Sequence, residues 1–251
     1  MRKKLIIIQA RTGSTRLPGK ILLMIQGKEI ILHLLDRLIP SKYTDHIIVA
    51  TPMEKSDDGL ASLCINYHPK VSVCRGSEKD VLDRFYQAAK TYNNKSGEQH
   101  DIVRITSDCP LLHFNVVDDH LRAFDTHRVD YLSSRIKKRT WPHGMELEIF
   151  TFEALSRTWQ NAGKEYEREH VTPYIYKSRP DLFSLFEYKY KKDLSGYRFT
   201  LDYPEDYLFI KEIYDCLYPQ NNLFSLKDIL KLLDKTPDLL KINQNRINSG
   251  L

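Results

Sequence analysis

Close to the N-terminus, cations, hydroxyl groups and glycines follow directly after an apolar run. The segment 5–20 reads LIIIQARTGSTRLPGK, and its initial LIII run predicts a buried β-strand. Gly13 and Gly19 permit backbone conformations that other residues avoid, and they let the chain approach a ligand closely. The cations of the loop are Arg11, Arg16 and Lys20. Exposed N–H groups backed by these charges form an anion site, so the segment predicts a polyphosphate-binding loop after the first strand.

This loop carries neither of the common phosphate-binding motifs. No GK[ST] follows, as a Walker loop requires, and the glycine spacing is not G-x-G-x-x-G. The chemistry of the residues therefore leaves two interpretations open. One is a phosphate site at the carboxyl edge of a parallel sheet, where open α/β folds bind ligands. The other is a basic surface loop.

Two carboxylates follow later predicted strands. Asp108 lies in RITSDCP after the fourth strand, and Asp202 lies in FTLDYPED just before a helix. Magnesium is typically held by one or two carboxylates, with phosphate and water oxygens completing its shell. The pair is therefore a candidate Mg²⁺ site at the edge of the sheet that carries the predicted phosphate-binding loop. Each aspartate could instead cap the helix that follows it.

The third predicted strand is followed by RGSEKDVLDRF, residues 75–85. Arg75 could reach a base or a ribose, and Asp80 and Arg84 could line the pocket. Helix capping is the alternative for Asp80, and a surface ion pair is the alternative for Arg84.

Two segments farther along the chain carry further candidate ligand-binding residues. In HGMELEIF, Glu146 and Glu148 alternate with apolar residues on a predicted strand and so face the same side. In EREHVTPYIY, Arg168 and His170 could hold an acidic or hydroxylated ligand, because a guanidinium fork suits a carboxylate. A hydrogen bond from His170 to a backbone carbonyl is an equally good interpretation.

Together these motifs resemble the acylneuraminate and KDO cytidylyltransferases. The string from Arg11 to Lys20 matches their R-x-x-S-x-R-L-P-G-K signature, and it most resembles the branch named after a spore-coat polysaccharide synthesis protein. The three later motifs resemble that branch's R-G-S-x-x-D-V-L-x-R-F, P-D-G-L-D-V-E-V-F and R-E-H-V-T-P-Y-I segments, in the same order. The chain departs from the family pattern at Thr106, Ser107, Cys109 and His143, where the related sequences carry Gln, Gly, Glu and Asp.

The resemblance implies a Rossmann-like enzyme that moves CMP from CTP to a hydroxyl of a sugar acid or related acceptor, releasing pyrophosphate, in surface-polysaccharide synthesis. It also implies Mg²⁺ held by Asp108 and Asp202. The expected catalytic residues are Arg11, Lys20, Asp108 and Asp202. The expected nucleotide-binding residues are Ala10, Arg11, Gly13, Ser14, Arg16, Lys20, Arg75, Ser77 and Thr106. The expected acceptor-binding residues are Glu146, Glu148, Arg168 and His170.

Two other functions stay open at this point. The same scaffold could use another nucleotide, such as GTP or UTP, or it could be a catalytically silent nucleotide-binding protein. The presence of Lys20, Asp108 and Asp202 together argues against the silent protein.

The elements that must position these residues alternate between strand and helix in the first half. Strands are predicted over 5–8, 46–51, 71–75 and 102–105. Helices are predicted over 28–38 and over 57–67, the second with Ser56 as its N-cap. A third helix is predicted after the cap signal Ser77–Asp80, and a polar loop over 93–100 follows it. This alternation predicts an α/β protein with a doubly wound, mostly parallel sheet.

The second half has a different pattern. Its predicted strands cover 147–150, 184–190 and 197–201. Helices are predicted over 152–159, 168–176 and 225–233, and a further helix has Pro204 in its first turn. Residues 243–251 are expected to fray. We treat residues 1–251 as one nucleotidyltransferase domain. The resemblance implies that a strand-and-helix insert, about 136–196, serves acceptor binding and a homodimer.

Composition is that of an ordinary globular protein, with 251 residues, 41% apolar and 28% charged. A net charge of +5 is too weak to indicate nucleic acid binding. Lys137, Lys138 and Arg139 form the densest basic cluster and predict a solvated loop, although a loop beside an anionic substrate would have the same composition. No signal peptide or membrane-spanning run is recognised, and four scattered cysteines indicate neither disulfides nor zinc. These features predict a cytoplasmic protein that binds no membrane.

Overall fold

The apolar run near the N-terminus forms an interior strand of a seven-stranded sheet in the computed structural model, which describes residues 2–247. The strands are β1 (Lys3–Gln9), β2 (Met24–Ile25), β3 (Lys28–Glu29), β4 (His46–Pro52), β5 (Val71–Gly76), β6 (His100–Thr106), β7 (Tyr131–Ser133), β8 (Glu148–Phe150) and β9 (Leu185–Glu187). The α-helices of the described residues are α1 (Ile30–Leu38), α2 (Asp58–Ile65), α3 (Val81–Ser96), α4 (Phe114–His127), α5 (Phe152–Asn161), α6 (Glu165–His170), α7 (Pro204–Leu217) and α8 (Leu226–Lys235).

The sheet has the order β5-β4-β1-β6-β8-β7-β9. Strands β5, β4, β1 and β6 are parallel, β8 is antiparallel to both of its neighbours, and β9 is parallel to β7. Strands β2 and β3 form a separate antiparallel pair. The segment 136–196 contributes β8 and β9 to the central sheet, and it also carries α5 and α6.

Helices cover both faces of the sheet. Ile6 and Ile8 of β1 pack into one core with α1, α4, α7 and α8, while Leu5 and Ile7 pack into a second core with α3 and α5. A strand buried on both faces must be apolar at successive positions, which explains the unbroken run. The predicted doubly wound, mostly parallel α/β fold is therefore confirmed.

Two predicted elements of the second half are wrong. The segment 197–201 forms an isolated β-bridge between Arg198 and His143, and Leu201 N donates to Asp108 O at 2.8 Å, but the segment forms no strand of the sheet. The helix predicted over 168–176 is interrupted, because α6 ends at His170 and Val171 has a φ of +71°. Pro173 disfavours a helical conformation in the residue before it, and the chain resumes as a π-helix over Tyr174–Ser178.

Helix ends in the first half differ from the predicted ones. Ser56 does not cap α2, which begins at Asp58 after a 3₁₀ turn over Lys55–Asp57. The predicted loop over 93–100 is shorter than expected, because α3 continues to Ser96. It ends on Gly97, whose φ of +71° is the left-handed conformation that closes many helices.

The C-terminal segment is fixed as far as it is described. Asn243 is buried and its side chain donates to Arg198 O and to Asp206 Oδ1, both at 3.1 Å. The expected fraying of 243–251 is therefore wrong at Asn243, and residues 248–251 lie outside the described part of the chain. Between residues 2 and 247, no helix has the length and apolar character that crossing a bilayer requires.

His120 ties α4 to the strands of the second half. The fully buried ring bonds Val116 O through Nδ1 at 2.7 Å and Ser134 Oγ through Nε2 at 2.8 Å. Burial lowers the pKa of His120 to about 4, whereas an unfolded histidine titrates at about 6.5. The stability that the neutral ring contributes is present above that pH and is lost as the pH falls toward 4.

We therefore expect the free energy of unfolding in urea to fall between pH 7 and pH 5.5. It should fall more steeply for the wild type than for His120→Gln, by up to about 1.4 kcal/mol per pH unit. His68→Gln changes a half-exposed histidine and should keep the wild-type slope. Equal slopes for all three proteins would contradict the assignment.

Candidate functional site

The loop after β1 is pinned at Thr12. The buried Asp57 accepts hydrogen bonds from Thr12 N at 2.7 Å and from Thr12 Oγ1 at 3.0 Å. The Thr12 carbonyl accepts from Ser14 N at 3.0 Å and from Gly19 N at 3.2 Å, so the loop closes on itself. Gly19 has a φ of +65°, which favours glycine. The special backbone conformation is present at Gly19, whereas Gly13 has no positive φ, and its close approach to a ligand stays a prediction.

Lys20 lies between the two predicted metal carboxylates. Its Nζ donates to Asp108 Oδ2 at 2.8 Å and to Asp202 Oδ1 at 2.9 Å. Burial opposes the charge of Lys20, but the two carboxylates outweigh burial and raise its pKa. Burial likewise favours a neutral Asp108, but the Lys20 ammonium outweighs it and lowers the pKa of Asp108. A cation therefore already occupies the position between the two acids.

Asp202 is fixed from the protein interior by Arg198. Nη2 of this fully buried arginine donates to Asp202 Oδ2 at 3.0 Å and to Asp206 Oδ2 at 2.9 Å. Arg16 donates to Asp202 Oδ1 at 2.8 Å from the more exposed side and lies over the Tyr203 ring. Because both carboxylate oxygens are bonded, Asp202 has a defined orientation toward Lys20.

These groups line a cleft with a volume of about 1040 Å³ at the carboxyl edge of the parallel strands. A cleft of this size lies at the upper end of the range for small-molecule sites, about 300–1,000 Å³. The predicted site residues in its wall are Arg11, Gly13, Ser14, Arg16, Lys20, Thr106, Asp108, Glu146, Glu148, His170 and Asp202. The fold thus brings residues from both halves of the chain into one cleft.

Three predicted nucleotide-binding residues do not line this cleft. Ala10 is buried, and its N–H donates to Ala50 O at 3.1 Å. Ser77 Oγ accepts from Asp80 N at 3.0 Å in the turn before α3. Arg75 donates to the carbonyls of the loop after β4 and pairs with Asp58, so it ties that loop to β5.

Arg168 also lies outside the cleft wall. Its guanidinium forms a bidentate pair with Asp80, with distances of 2.6 and 3.0 Å, and donates to Trp159 O at 2.8 Å. Asp80 is the N-cap of α3 and accepts from Asp83 N, as the capping alternative predicts. Arg84 is buried and donates to Ser77 O, so the alternative of a surface ion pair is wrong for this residue.

Glu148 is the centre of a polar group at the start of β8. It pairs with Arg104, which lies opposite it on β6, and it accepts from Tyr131 Oη at 2.5 Å and from Thr172 Oγ1 at 2.6 Å. Arg104 Nη2 also donates to Gln9 Oε1 at 3.2 Å. Sequence reasoning missed Gln9 and Arg104, both of which line the cleft. The available signal for Arg104 was its charge, which interrupts the apolar run predicted as a strand over 102–105 and observed as β6.

A basic loop forms another part of the cleft wall. Arg135, Lys137 and Arg139 line the cleft. Lys137 and Lys138 are exposed, as a solvated loop predicts, whereas the Arg139 side chain is only 12% exposed. Nη1 of Arg139 lies 3.6 Å from Glu146 Oε1, and Glu146 Oε2 accepts from Gly144 N at 3.1 Å. Burial raises the pKa of Glu146, although the Gly144 N–H and Arg139 oppose this effect. This wall therefore offers both donors and a carboxylate to a ligand.

Cys109, where the related sequences carry Glu, is not set up as a nucleophile. The thiol is buried, and burial with the neighbouring Asp108 raises the pKa of Cys109 well above its usual range. It lies 3.4 Å from Thr106 Oγ1 and 3.6 Å from Asp108 Oδ1. Its protonated thiol contributes packing and a weak hydrogen bond beside the candidate metal ligand.

Asp57 gives a direct test of how the loop is positioned. Asp57→Ala leaves the Thr12 N–H without its buried acceptor, so we expect the free energy of unfolding to fall by about 1–3 kcal/mol. The CTP concentration at half-saturation should also rise by about tenfold, because the loop is no longer held in the conformation that binds the nucleotide. Urea unfolding and a CTP titration measure the two effects. Asp58→Ala removes a neighbouring exposed acid, and its unfolding free energy should change by less than about 1 kcal/mol. Equal losses in both variants would contradict the anchoring role.

Comparison with known proteins points to a single family. The sequence model of a family described as Cytidylyltransferase matches residues 5–234. The Spore coat polysaccharide biosynthesis protein SpsF of Bacillus subtilis (strain 168) is 30% identical over 245 residues, covering 93% of this chain and 95% of that protein. The 3-deoxy-manno-octulosonate cytidylyltransferase of Chlamydia abortus is 28% identical over 185 residues, covering 72% and 67%. The solved structure of a cytidylyltransferase from Leptospira borgpetersenii is 37% identical, covering 95% and 97%, with a TM-score of 0.85.

Proposed function

The chain belongs to the cytidylyltransferase family, and we propose that it moves CMP from CTP to a hydroxyl of a sugar acid or related acidic acceptor, releasing pyrophosphate. The family predicted from the loop motif is confirmed, and membership makes the chain a CTP-dependent nucleotidyltransferase. The name of the SpsF relative supports a role in polysaccharide biosynthesis. We extend that role to a surface polysaccharide.

The observation that carries the proposal is the position of Lys20. Its ammonium bonds both Asp108 and Asp202 in a cleft that also contains Arg11 and the closed loop over residues 12–19. Cations and backbone N–H groups attract a polyphosphate, and the acids attract a divalent cation. The two sets of groups share one wall, as a metal–nucleotide complex requires.

We propose that Asp108 and Asp202 hold Mg²⁺. The donor set fits this ion, because both groups are carboxylates and Lys20 Nζ bonds an oxygen of each, so the two acids already flank one cation position. Across residues 2–247, no group of three or more His, Cys, Asp or Glu could hold a metal. Phosphate and water oxygens would therefore complete the shell, as is typical of Mg²⁺. When bound, the ion would neutralise charge on the phosphates and orient them.

The chain's own residues position the reacting groups. We assign Arg11 and Lys20 to the phosphates, with Arg16 assisting and with the Gly13 N–H and the Ser14 hydroxyl as further donors. The acceptor hydroxyl attacks the α-phosphorus and forms a new P–O bond. The bond from the α-phosphorus to the bridging oxygen breaks, pyrophosphate leaves with the electron pair, and the hydroxyl proton passes to water. Lys20 can exchange a carboxylate for a phosphate oxygen when the nucleotide arrives.

The acceptor side of the proposal depends on the basic loop and the carboxylates of the cleft wall. Arg135, Lys137 and Arg139 favour an anionic acceptor through charge. Glu146, Glu148 and His170 line the same cleft and can bond hydroxyl groups. The name of the Chlamydia relative, a 3-deoxy-manno-octulosonate enzyme, supports a sugar acid as the acceptor class.

The test is pyrophosphate release with each of the four nucleoside triphosphates, Mg²⁺ and a panel of sugar acids, other hydroxy acids and neutral sugars. We expect release with CTP and an acidic acceptor. Faster turnover with another nucleotide would support that alternative and contradict the proposal. CTP-induced thermal stabilisation without turnover of any acceptor would indicate a nucleotide-binding protein.

Two further proposals concern the protein's surroundings. We propose a homodimer that uses part of the segment 136–196, which sedimentation of the full chain can test. We also propose a cytoplasmic location, which four free cysteines support.

A further inference from the structure

His143 lines the cleft beside Asp202, yet none of the roles assigned above uses it. Its backbone is fixed on both sides, because His143 N donates to Tyr197 O at 2.9 Å and Phe199 N donates to His143 O at 2.7 Å. Gly144 follows with a φ of +95°, and a Cβ at Gly144 would lie 2.6 Å from Thr200 N. The segment carrying His143 is therefore held rigidly against the residues that lead to Asp202.

One ring nitrogen of His143 has a defined hydrogen-bond role. Nδ1 lies 3.1 Å from Nη1 of Arg198. A guanidinium has donors and no acceptor, so Nδ1 must present its lone pair to Arg198. In a neutral ring the proton then resides on Nε2. Arg198 is itself fixed by Asp202 and Asp206, which fixes the ring as well.

The ring is neutral at pH 7. Burial, followed by the charges of Arg198 and Arg139, lowers the pKa of His143 to about 4. For residues 2–247, the structure gives Nε2 no hydrogen-bond partner, and the imidazole forms part of the cleft wall. The side chain therefore presents an N–H donor to whatever binds there. A ligand oxygen in the cleft can accept a hydrogen bond from this N–H.

We infer that His143 determines acceptor specificity, donating from Nε2–H to a carboxylate or other anionic oxygen that lies beside the attacking hydroxyl. This inference rests on the proposed function. The neighbouring charges favour the same class of group, since Arg135 and Arg139 lie close enough to act on the ring. An ammonium group at this position would face a donor, could not accept its hydrogen bond, and would therefore be disfavoured.

Two substitutions separate the donor from the structural contact. His143→Asn can accept from Arg198 with its carbonyl and donate with its amide, whereas His143→Asp can accept but not donate at pH 7. We expect the Asp variant to lose about 10- to 100-fold in kcat/KM for the anionic acceptor, mainly through KM. The Asn variant should stay within about fivefold of the wild type, and KM for CTP should be unchanged in both. Equal losses in the two variants, or a matching rise in KM for CTP, would overturn the inference.

The second measurement requires no acceptor. Two-bond ¹H–¹⁵N correlation spectra of the labelled full chain at pH 7 report the tautomer of each histidine, and the signal absent from His143→Asn belongs to His143. We expect a neutral ring with the proton on Nε2. A protonated ring, or a proton on Nδ1, would contradict the inference about His143 alone. A wild-type protein that turns over no acceptor would instead contradict the proposed function.

Discussion

Asp108→Asn should reduce metal-dependent pyrophosphate release by about 1000-fold, which corresponds to about 4 kcal/mol of transition-state stabilisation. Asp108 supplies one of two carboxylates at the candidate metal position, and Lys20 keeps it ionised. An amide of the same shape keeps one oxygen but loses the charge that Mg²⁺ requires. The measurement is pyrophosphate release from CTP at saturating acceptor, with Mg²⁺ varied over a wide range.

The matched control for this change is Asp119→Asn. Asp119 lies on α4, where its half-exposed carboxylate pairs with Arg122, and it is not among the residues that line the cleft. The control should keep wild-type turnover. If Asp108→Asn also kept full turnover at low Mg²⁺, the metal assignment would be refuted.

Lys20→Met should have the second large effect, a loss of about 100- to 1000-fold in kcat/KM for CTP. The change removes the cation that is proposed to meet the phosphates. It also leaves Asp108 and Asp202 without the ammonium that now separates them. Mutual repulsion of the acids then opposes an incoming triphosphate. Steady-state kinetics with CTP varied at saturating acceptor would measure this loss.

Lys227→Met is the matched control, because Lys227 is exposed on α8 and lies outside the cleft wall. Its kinetics should equal those of the wild type. Circular dichroism and a thermal melt would show whether Lys20→Met remains folded. A folded Lys20→Met protein with wild-type kcat/KM for CTP would show that the phosphates bind elsewhere.

The central sheet and the positions of the chemical groups could be predicted from the sequence. A strand buried on both faces leaves an unbroken apolar signature, and β1 has it. Parallel strands place their carboxyl ends at one edge, so the loop after β1 and Asp108 after β6 had to lie close together. Lys20 is found bonded to Asp108 for that reason.

Pairings between distant side chains could not be predicted. From the sequence, Arg168 could pair with a carboxylate of the acceptor or with a carboxylate of the protein. The packing of α6 against α3 brings Asp80 within reach of Arg168, and this contact decides the partner. Asp57 is a residue type that often caps helices, and it lies just before α2, yet its carboxylate accepts from Thr12 N, 45 residues earlier in the chain. Local patterns carry no information on contacts of this range.

The interruption at Val171 has a different origin. The residues EREHVTPYIY have a helical pattern, and their local preferences compete with the restriction that Pro173 imposes on Thr172. Thr172 Oγ1 donates to Glu148 Oε1 at 2.6 Å in the break, next to the cleft. The helical pattern therefore fails at the position where the fold directs the Thr172 side chain to Glu148, next to the cleft.

A crystal structure of the protein with CTP and Mn²⁺ in place of Mg²⁺ tests the central claim most directly. The account predicts the triphosphate along the loop over residues 11–20, with Lys20 on a phosphate oxygen. It also predicts an anomalous peak bonded to Asp108 and Asp202. A triphosphate bound away from this loop, or a metal peak with neither aspartate among its ligands, would contradict it.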